Sequence, residues 1–192
     1  MFLPAIDPEM PHKVVKKLNA ITNMGGGYIH WPFCERKCPY CDFHTFGAEH
    51  PNSGLAAKYH AALIRDIESL GEFLGWGEPA RVDTIYFGGG TPGLMGGRFL
   101  EKLMRSLEQV FRVEAGSEIT IEINPVSAEI IGLEAMLASG INRVSIGCQS
   151  FNDRLLGQLG VDSAPALRGK ININPSQKIG IEIPASDPNI AV

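Results

Sequence analysis

The chain has 192 residues, 44% of them hydrophobic, and a formal net charge of −4 at pH 7. This length can bury one hydrophobic core, whereas the acidic balance without a basic run argues against a nucleic-acid partner. Four cysteines, three of them within eight residues, indicate a reducing cytoplasm and not a secreted disulfide framework. The first residues lack the basic segment of a signal peptide, and no apolar run reaches the roughly 18 residues that an integral membrane segment needs. We therefore expect a cytoplasmic protein.

Residues 1–27 are expected to form a leader without defined structure, which ends in three glycines. After it, strand-like alternation and helical periodicity take turns along the chain. The predicted strands cover residues 28–33, 82–87, 119–123 and 143–147. The predicted helices cover residues 55–74 and 99–111, a third segment between Ser127 and Gly140, and a fourth that Asn152 or Asp153 caps. This alternation predicts an α/β fold with a parallel sheet covered by helices.

The last stretch departs from this pattern. After Gly160 no aromatic residue occurs, and prolines recur at four positions. Residues 170–174 and 178–183 alternate like short edge strands. We predict that residues 161–192 form an irregular C-terminal tail, separate from a core domain of residues 28–160.

The most informative residues are three cysteines, Cys34, Cys38 and Cys41. Thiolates on one short loop are ligands for a soft metal centre, and three ligands to a cluster of four irons leave one iron open to a further ligand. A closed zinc site completed by His44 is the alternative for this spacing.

The remaining cysteine and histidines show no such arrangement. Cys148, at an apolar strand end, is expected to pack as a small hydrophobic residue. His30 and His60 are expected at the surface or in packing.

Three further motifs follow at the ends of predicted strands: Phe-Gly-Gly-Gly-Thr-Pro at 87–92, Glu-Ile-Asn-Pro at 122–125, and Ser-Ile-Gly-Cys-Gln-Ser-Phe at 145–151. Parallel α/β sheets and barrels place active sites at the carboxyl ends of their strands. The glycines either let the backbone approach a ligand or form a tight turn before a helix. Glu122 on an alternating strand requires a polar partner, and Gln149 supplies a neutral donor and acceptor.

Together with the cysteine loop, these motifs resemble, in the same order, the radical S-adenosylmethionine (SAM) superfamily. Within it they resemble the oxygen-independent coproporphyrinogen III oxidase group and are most similar to its HemW-type heme chaperones. The resemblance covers residues 28 to about 160 and implies a partial radical-SAM (β/α) TIM-like barrel of about four βα units.

The resemblance also implies cofactors and their ligands. A four-iron, four-sulfur (4Fe-4S) cluster would be held by Cys34, Cys38 and Cys41, with SAM on the open iron. The family positions that contact this SAM match Tyr28, Gly89 and Glu122. The positions that contact a second SAM in the oxidases match Tyr40, Gly90, Thr91 and Gln149. Heme or porphyrin, and a recipient hemoprotein, are the further partners that the resemblance implies.

Two departures from the family pattern bear on function. Phe43 stands where the oxidases carry a fourth cysteine, as in the HemW-type proteins, which favours a heme chaperone over an enzyme of porphyrin biosynthesis. Val161 follows Gly160 where the family continues with an arginine that contacts SAM. The loss of resemblance after Gly160 predicts a truncated, frameshifted or mis-joined reading frame, so an inactive fragment is a third alternative.

Overall fold

The computed structural model describes residues 23–47, 54–74, 78–124, 133–147, 149–150, 152–160 and 178–182. The strands are β1 (Gly26–Trp31), β2 (Phe33–Cys34), β3 (Phe46–Gly47), β4 (Arg81–Gly89), β5 (Arg112–Ile123), β6 (Arg143–Gly147) and β7 (Lys178–Glu182). The α-helices are α1 (Gly54–Leu74), α2 (Gly97–Val110), α3 (Leu133–Ala138) and α4 (Asp153–Gln158), and a 3₁₀ turn covers Pro92–Met95. No helix among these residues combines the length and apolarity needed to cross a membrane.

Five strands form one parallel sheet in the order β1-β4-β5-β6-β7, while β2 and β3 pair separately. Each neighbouring pair in the large sheet is joined in the chain by a segment whose described residues include an α-helix. Because this order follows the chain without reversal, the sheet lacks the switch point of a doubly wound fold and has the winding of a (β/α) barrel. The predicted α/β fold with four strand–helix units is confirmed, and a fifth strand follows them.

The predicted first strand is divided by Pro32. This residue has no N–H to donate to a ladder, so β1 ends at Trp31 and β2 begins at Phe33. The carbonyl oxygen of Pro32 still accepts a hydrogen bond from the amide of Phe46 at 2.7 Å. The chain thereby leaves the large sheet at the residue that precedes the cysteine loop.

One face of the large sheet packs against the helices and forms the hydrophobic core with them. Apolar residues at alternate positions of β1, β4, β5 and β6 are buried there with one side of α2. Its largest fully buried side chains include Trp31, Phe87, Leu100, Leu103 and Ile121. Burial of this kind, at about 25 cal/mol per Å² of apolar surface, is the main favourable term in folding. The core therefore fixes which side chains of each strand point away from the helices.

The opposite face of the sheet is polar. Tyr28 pairs in register with Tyr86, and Glu122 pairs with Ser145. Because side chains alternate along a strand, these four lie on the face opposite the core. Tyr28 is 59% exposed, whereas Tyr86 and Glu122 are half-buried and Ser145 is buried. In a barrel this face points inward, and the candidate site lies where it reaches the carboxyl ends of the strands.

Two predicted helix ends are confirmed. Asn152 caps α4, because its side-chain oxygen accepts hydrogen bonds from the amides of Arg154 and Leu155. Gly140 ends the helix before β6 with a φ of 90°, a conformation that favours glycine. The proposed cap Ser127 lies outside the described residues.

The C-terminal segment contains a regular element. Residues 178–182 form β7, parallel to β6 at the edge of the sheet, with Val144 opposite Ile179 and Ile146 opposite Ile181. The prediction of an edge strand here is confirmed, and the prediction of an irregular tail is wrong for these five residues. The physical reason is that the free backbone edge of β6 offers a ladder to any extended segment that reaches it. Residues 170–174 lie outside the described residues.

Candidate cofactor site at the strand ends

The cysteine loop begins where β2 ends. Cys34 is the last residue of β2, and the pairing of Phe33 with Phe46 and of Cys34 with Gly47 ties both ends of the loop together. Within the loop the amide of Cys41 donates to the carbonyl oxygen of Cys38 at 3.1 Å, which closes a tight turn. All three cysteines are free and half-buried.

The three cysteine thiols are the type of ligand that an iron–sulfur cluster requires, but they are not arranged around a common centre. Among the residues that the structure describes, no group of three or more His, Cys, Asp or Glu side chains is gathered closely enough to hold a metal ion, with or without His44. The donor set itself fits, since three soft thiols share one short, half-buried loop. Burial raises the pKa of the Cys34 thiol, and the hydroxyls of Thr91 and Thr45 act in the opposite direction.

The glycine-rich end of β4 is attached directly to the strand that leads into this loop. The amide of Gly90 donates to the carbonyl oxygen of Trp31 at 2.6 Å, and the amide of Thr91 donates to that of Phe33 at 2.9 Å. A Cβ atom on Gly90 would lie 2.7 Å from the Phe33 oxygen and 3.0 Å from Cys34 Sγ. The close approach observed here is to the backbone of β1 and β2, and approach of these glycines to a ligand stays a prediction.

Gly89 meets a second close neighbour. Its φ is 118°, and a Cβ atom on it would lie 2.6 Å from the ring of His30. The His30 Nδ1 atom lies 3.3 Å from the Tyr28 hydroxyl, and Nε2 lies 3.3 Å from the carbonyl oxygen of His44. His30 therefore does pack, as expected, but it packs among residues of the candidate site.

Glu122 is held by two donors. The Tyr86 hydroxyl donates to Oε1 at 2.6 Å, and the Gly89 amide donates to Oε2 at 3.1 Å. The polar partner that an acidic residue on this strand requires is thereby identified. Partial burial, and then the negative charge of Glu122, raise the pKa of the Tyr28 phenol. Tyr28, Gly89 and Glu122, which the family resemblance groups together, are neighbours.

The other four predicted residues are distributed more widely. Thr91 is buried beside Cys34, and its Oγ1 accepts a hydrogen bond from Asn124 Nδ2 at 3.2 Å. The Gln149 amide and the Asn124 side chain both lie near Gly147, where β6 ends. Tyr40 lies in the cysteine loop, where partial burial and a hydrogen bond with the Cys38 side chain raise its pKa.

Three residues of this site were not assigned to it from the sequence: Tyr86, Asn124 and His30. For Tyr86 a pattern was available, because it lies two residues before Gly88 on an alternating strand and so shares the polar face. For Asn124 the signal was its place in the Glu-Ile-Asn-Pro motif, and for His30 only its position near a strand end.

Comparison with known proteins identifies relatives of this chain. A family model described as the radical SAM superfamily matches residues 28–171, which extends past Gly160. The boundary placed at Gly160 stays a prediction. "Radical S-adenosyl methionine domain-containing protein 1, mitochondrial" of Bos taurus is 37% identical over 133 residues, which are 69% of this chain and 29% of that protein.

Bacterial relatives carry two different names. "Heme chaperone HemW" of Escherichia coli is 36% identical over 135 residues, which are 69% of this chain and 34% of that protein. "Oxygen-independent coproporphyrinogen III oxidase" of Bradyrhizobium diazoefficiens is 38% identical over 151 residues, which are 79% of this chain and 32% of that protein. The chain spans roughly a third of the length of these relatives.

A solved structure has a similar fold. It is titled "Coproporphyrinogen III oxidase (HemN) from Escherichia coli is a Radical SAM enzyme", and it matches with a TM-score of 0.68 and 25% identity. The match covers 79% of this chain and 34% of that one. The partial barrel inferred from strand order is thus similar to part of a known TIM-like barrel.

Proposed function

The chain belongs to the radical SAM superfamily, and from this premise we propose that it is the cofactor-binding part of a HemW-type protein. In this proposal Cys34, Cys38 and Cys41 hold a 4Fe-4S cluster, and the strand ends beside them bind SAM. The intact protein binds heme in the cytoplasm and delivers it to a recipient hemoprotein. The chemistry that such a cluster supplies when bound is one-electron cleavage of SAM to methionine and a 5′-deoxyadenosyl radical.

The observation that carries the proposal is the attachment of the cysteine strand to the glycine-rich strand end. Backbone hydrogen bonds from Gly90 to Trp31 and from Thr91 to Phe33 hold Cys34 at the carboxyl ends of the strands, where Glu122 also lies. A ligand at these strand ends can therefore touch the thiol loop and the polar face together. SAM is such a ligand, because it carries a cationic ammonium group, a carboxylate and a ribose.

Each proposed SAM contact has a chemical role. The Glu122 carboxylate accepts hydrogen bonds from the ammonium group or the ribose hydroxyls, the strongest class of hydrogen bond because the acceptor is charged. The exposed phenol of Tyr28 and the backbone of Gly89 complete this side. Tyr40, Gly90, Thr91 and Gln149 match the positions that contact a second SAM in the oxidases.

The choice between chaperone and oxidase depends on Phe43. It occupies the position of the fourth cysteine in the oxidases, and it is 70% exposed on the cysteine loop. The similarity to a protein named as an oxidase supports the second candidate, an enzyme that oxidises coproporphyrinogen III. We favour the chaperone because an exposed phenyl ring cannot replace a thiol as a redox or metal-binding group.

The test is reconstitution of the chain with iron and sulfide under anaerobic conditions. About four irons per chain, with 5′-deoxyadenosine formed from SAM and a reductant, would support the proposal. Stoichiometric zinc in place of iron would overturn it in favour of a Cys3His site, and binding of neither metal would identify an inactive fragment. If a longer reading frame exists, its protein is then titrated with heme and assayed for turnover of coproporphyrinogen III. Heme binding without turnover supports the chaperone, and turnover supports the oxidase.

A further inference from the structure

We infer that Tyr86 is a positioning residue for SAM, which holds the Glu122 carboxylate in its binding orientation. This inference rests on the proposed function, since it concerns the same site. It adds a residue that none of the family motifs contains, because Tyr86 lies just before the Phe-Gly-Gly-Gly-Thr-Pro segment.

The sheet register brings the two side chains together. Tyr86 is opposite Thr120, and Glu122 lies two residues further along β5 on the same face. A diagonal neighbour of this kind is within reach of an aromatic side chain. The Tyr86 hydroxyl accordingly lies 2.6 Å from Glu122 Oε1.

The two oxygens of Glu122 are held from different directions. Tyr86 donates to Oε1 from a side chain, whereas Gly89 donates to Oε2 from the backbone at 3.1 Å. A carboxylate has about four lone-pair sites, so each oxygen keeps one for a ligand. One donor alone would leave the carboxylate able to rotate about its last bond, and two donors define its plane.

Tyr86 is itself supported on its other side. Its ring stacks on the ring of Tyr28, with centroids 6.0 Å apart and planes inclined by 17°. A Cβ atom on Gly88 would lie 2.8 Å from the Tyr86 ring and 2.9 Å from the Tyr28 ring, so glycine is required for this stack. Tyr86 thus connects Tyr28 of β1 with Glu122 of β5, the two side chains that the proposed function assigns to SAM.

The competing interpretation is that Tyr86 only fills space in the sheet. Tyr86→Phe separates the two, because it keeps the ring and its stack on Tyr28 and removes only the hydroxyl. Without the hydroxyl, Glu122 keeps only the Gly89 donor and has to be ordered when SAM binds, so we expect the Kd for SAM to rise roughly ten-fold. A space-filling residue would leave the Kd unchanged.

A double-mutant cycle with reconstituted protein tests whether Tyr86 acts through Glu122. The dissociation constant for SAM is measured calorimetrically for the wild type, Tyr86→Phe, Glu122→Gln and the double variant. We expect Tyr86→Phe to weaken SAM binding by at most about threefold in the Glu122→Gln background, because the acceptor is no longer charged. Equal effects of Tyr86→Phe in both backgrounds would overturn the inference.

Tyr59→Phe is the matched control, because it removes a phenol that donates to the backbone carbonyl oxygen of His30 at 2.8 Å and does not touch Glu122. It should change the Kd for SAM by less than about twofold. Iron content and urea unfolding, measured for every variant, identify any that lose the fold. Failure of the wild type to bind SAM would overturn the proposed function and this inference with it, whereas SAM binding with additive effects would overturn the inference alone.

Discussion

The amide nitrogen of Gly90 lies 2.6 Å from the carbonyl oxygen of Trp31, which joins the glycine-rich end of β4 to the last residue of β1. The register of the two strands ends at the preceding pair, Trp31 opposite Gly89. The contact therefore extends the ladder by one hydrogen bond beyond the paired residues. It also directs the chain into β2, so the position of the cysteine loop depends on this end of β4.

Gly90→Ala should destabilise the fold and reduce the iron bound after reconstitution. The added Cβ would meet the backbone of Phe33 at 2.7 Å, which cannot move as a flexible side chain would. We expect a loss of roughly 1–3 kcal/mol in the free energy of unfolding, as for other overpacked sites. Urea unfolding and iron analysis measure both effects. Gly116→Ala is the control, since nothing lies within 4 Å of its Cβ position; equal stability of the two variants would contradict the prediction.

Each of the variants Cys34→Ala, Cys38→Ala and Cys41→Ala should lose cluster binding, because a cluster held by three thiolates has no spare protein ligand. Cys148→Ala should retain the iron content of the wild type, since the sequence predicts a packing role for this residue. Iron and acid-labile sulfide are measured per chain after anaerobic reconstitution. Retention of the full iron content by any of the three loop variants would show that the ligand set is different.

Stability should fall as the pH drops below about 6.5, in part through His60. Burial between α1 and α2, assisted by the charge of Lys102, lowers the pKa of His60 against the effect of its hydrogen bond to the Phe99 carbonyl oxygen. The unfolded chain therefore takes up a proton at a higher pH than the native one. Above the unfolded pKa both states are neutral and the residue adds no pH dependence.

His60→Gln removes this titration, so the free energy of unfolding should depend less on pH between 7.5 and 5 than in the wild type. Urea titrations at several pH values measure the two slopes. Parallel slopes would show that His60 is not the group responsible.

Asn152→Ala should destabilise α4. The side-chain oxygen accepts from the Arg154 amide at 3.0 Å and from the Leu155 amide at 3.3 Å, and alanine leaves both donors without this acceptor. Loss of such a cap costs about 1 kcal/mol. Asn152→Asp retains an acceptor at the same position and should stay close to the wild type in thermal unfolding. Equal losses for both variants would indicate that the cap contributes little.

Local patterns of the sequence account for most of the fold. Helical and alternating periodicities place four strand–helix units, and Asn152 and Gly140 mark helix ends by residue type alone. The cysteine spacing and the motifs at strand ends are likewise contained in short windows. Each of these properties is set by side chains that lie within a few residues of one another.

Contacts between distant residues were decided by the tertiary structure alone. Tyr86 meets Glu122 across 36 positions of the chain, and the Gly89 backbone meets the same carboxylate across 33. Both contacts depend on the register of parallel strands, which is fixed by backbone pairing and core burial and not by the identity of either residue. The sequence therefore predicted the cysteine loop, the strand-end motifs and the strand that leads into each of them. Only the folded sheet decided which of them touch, because strand register brings together residues that no local pattern connects.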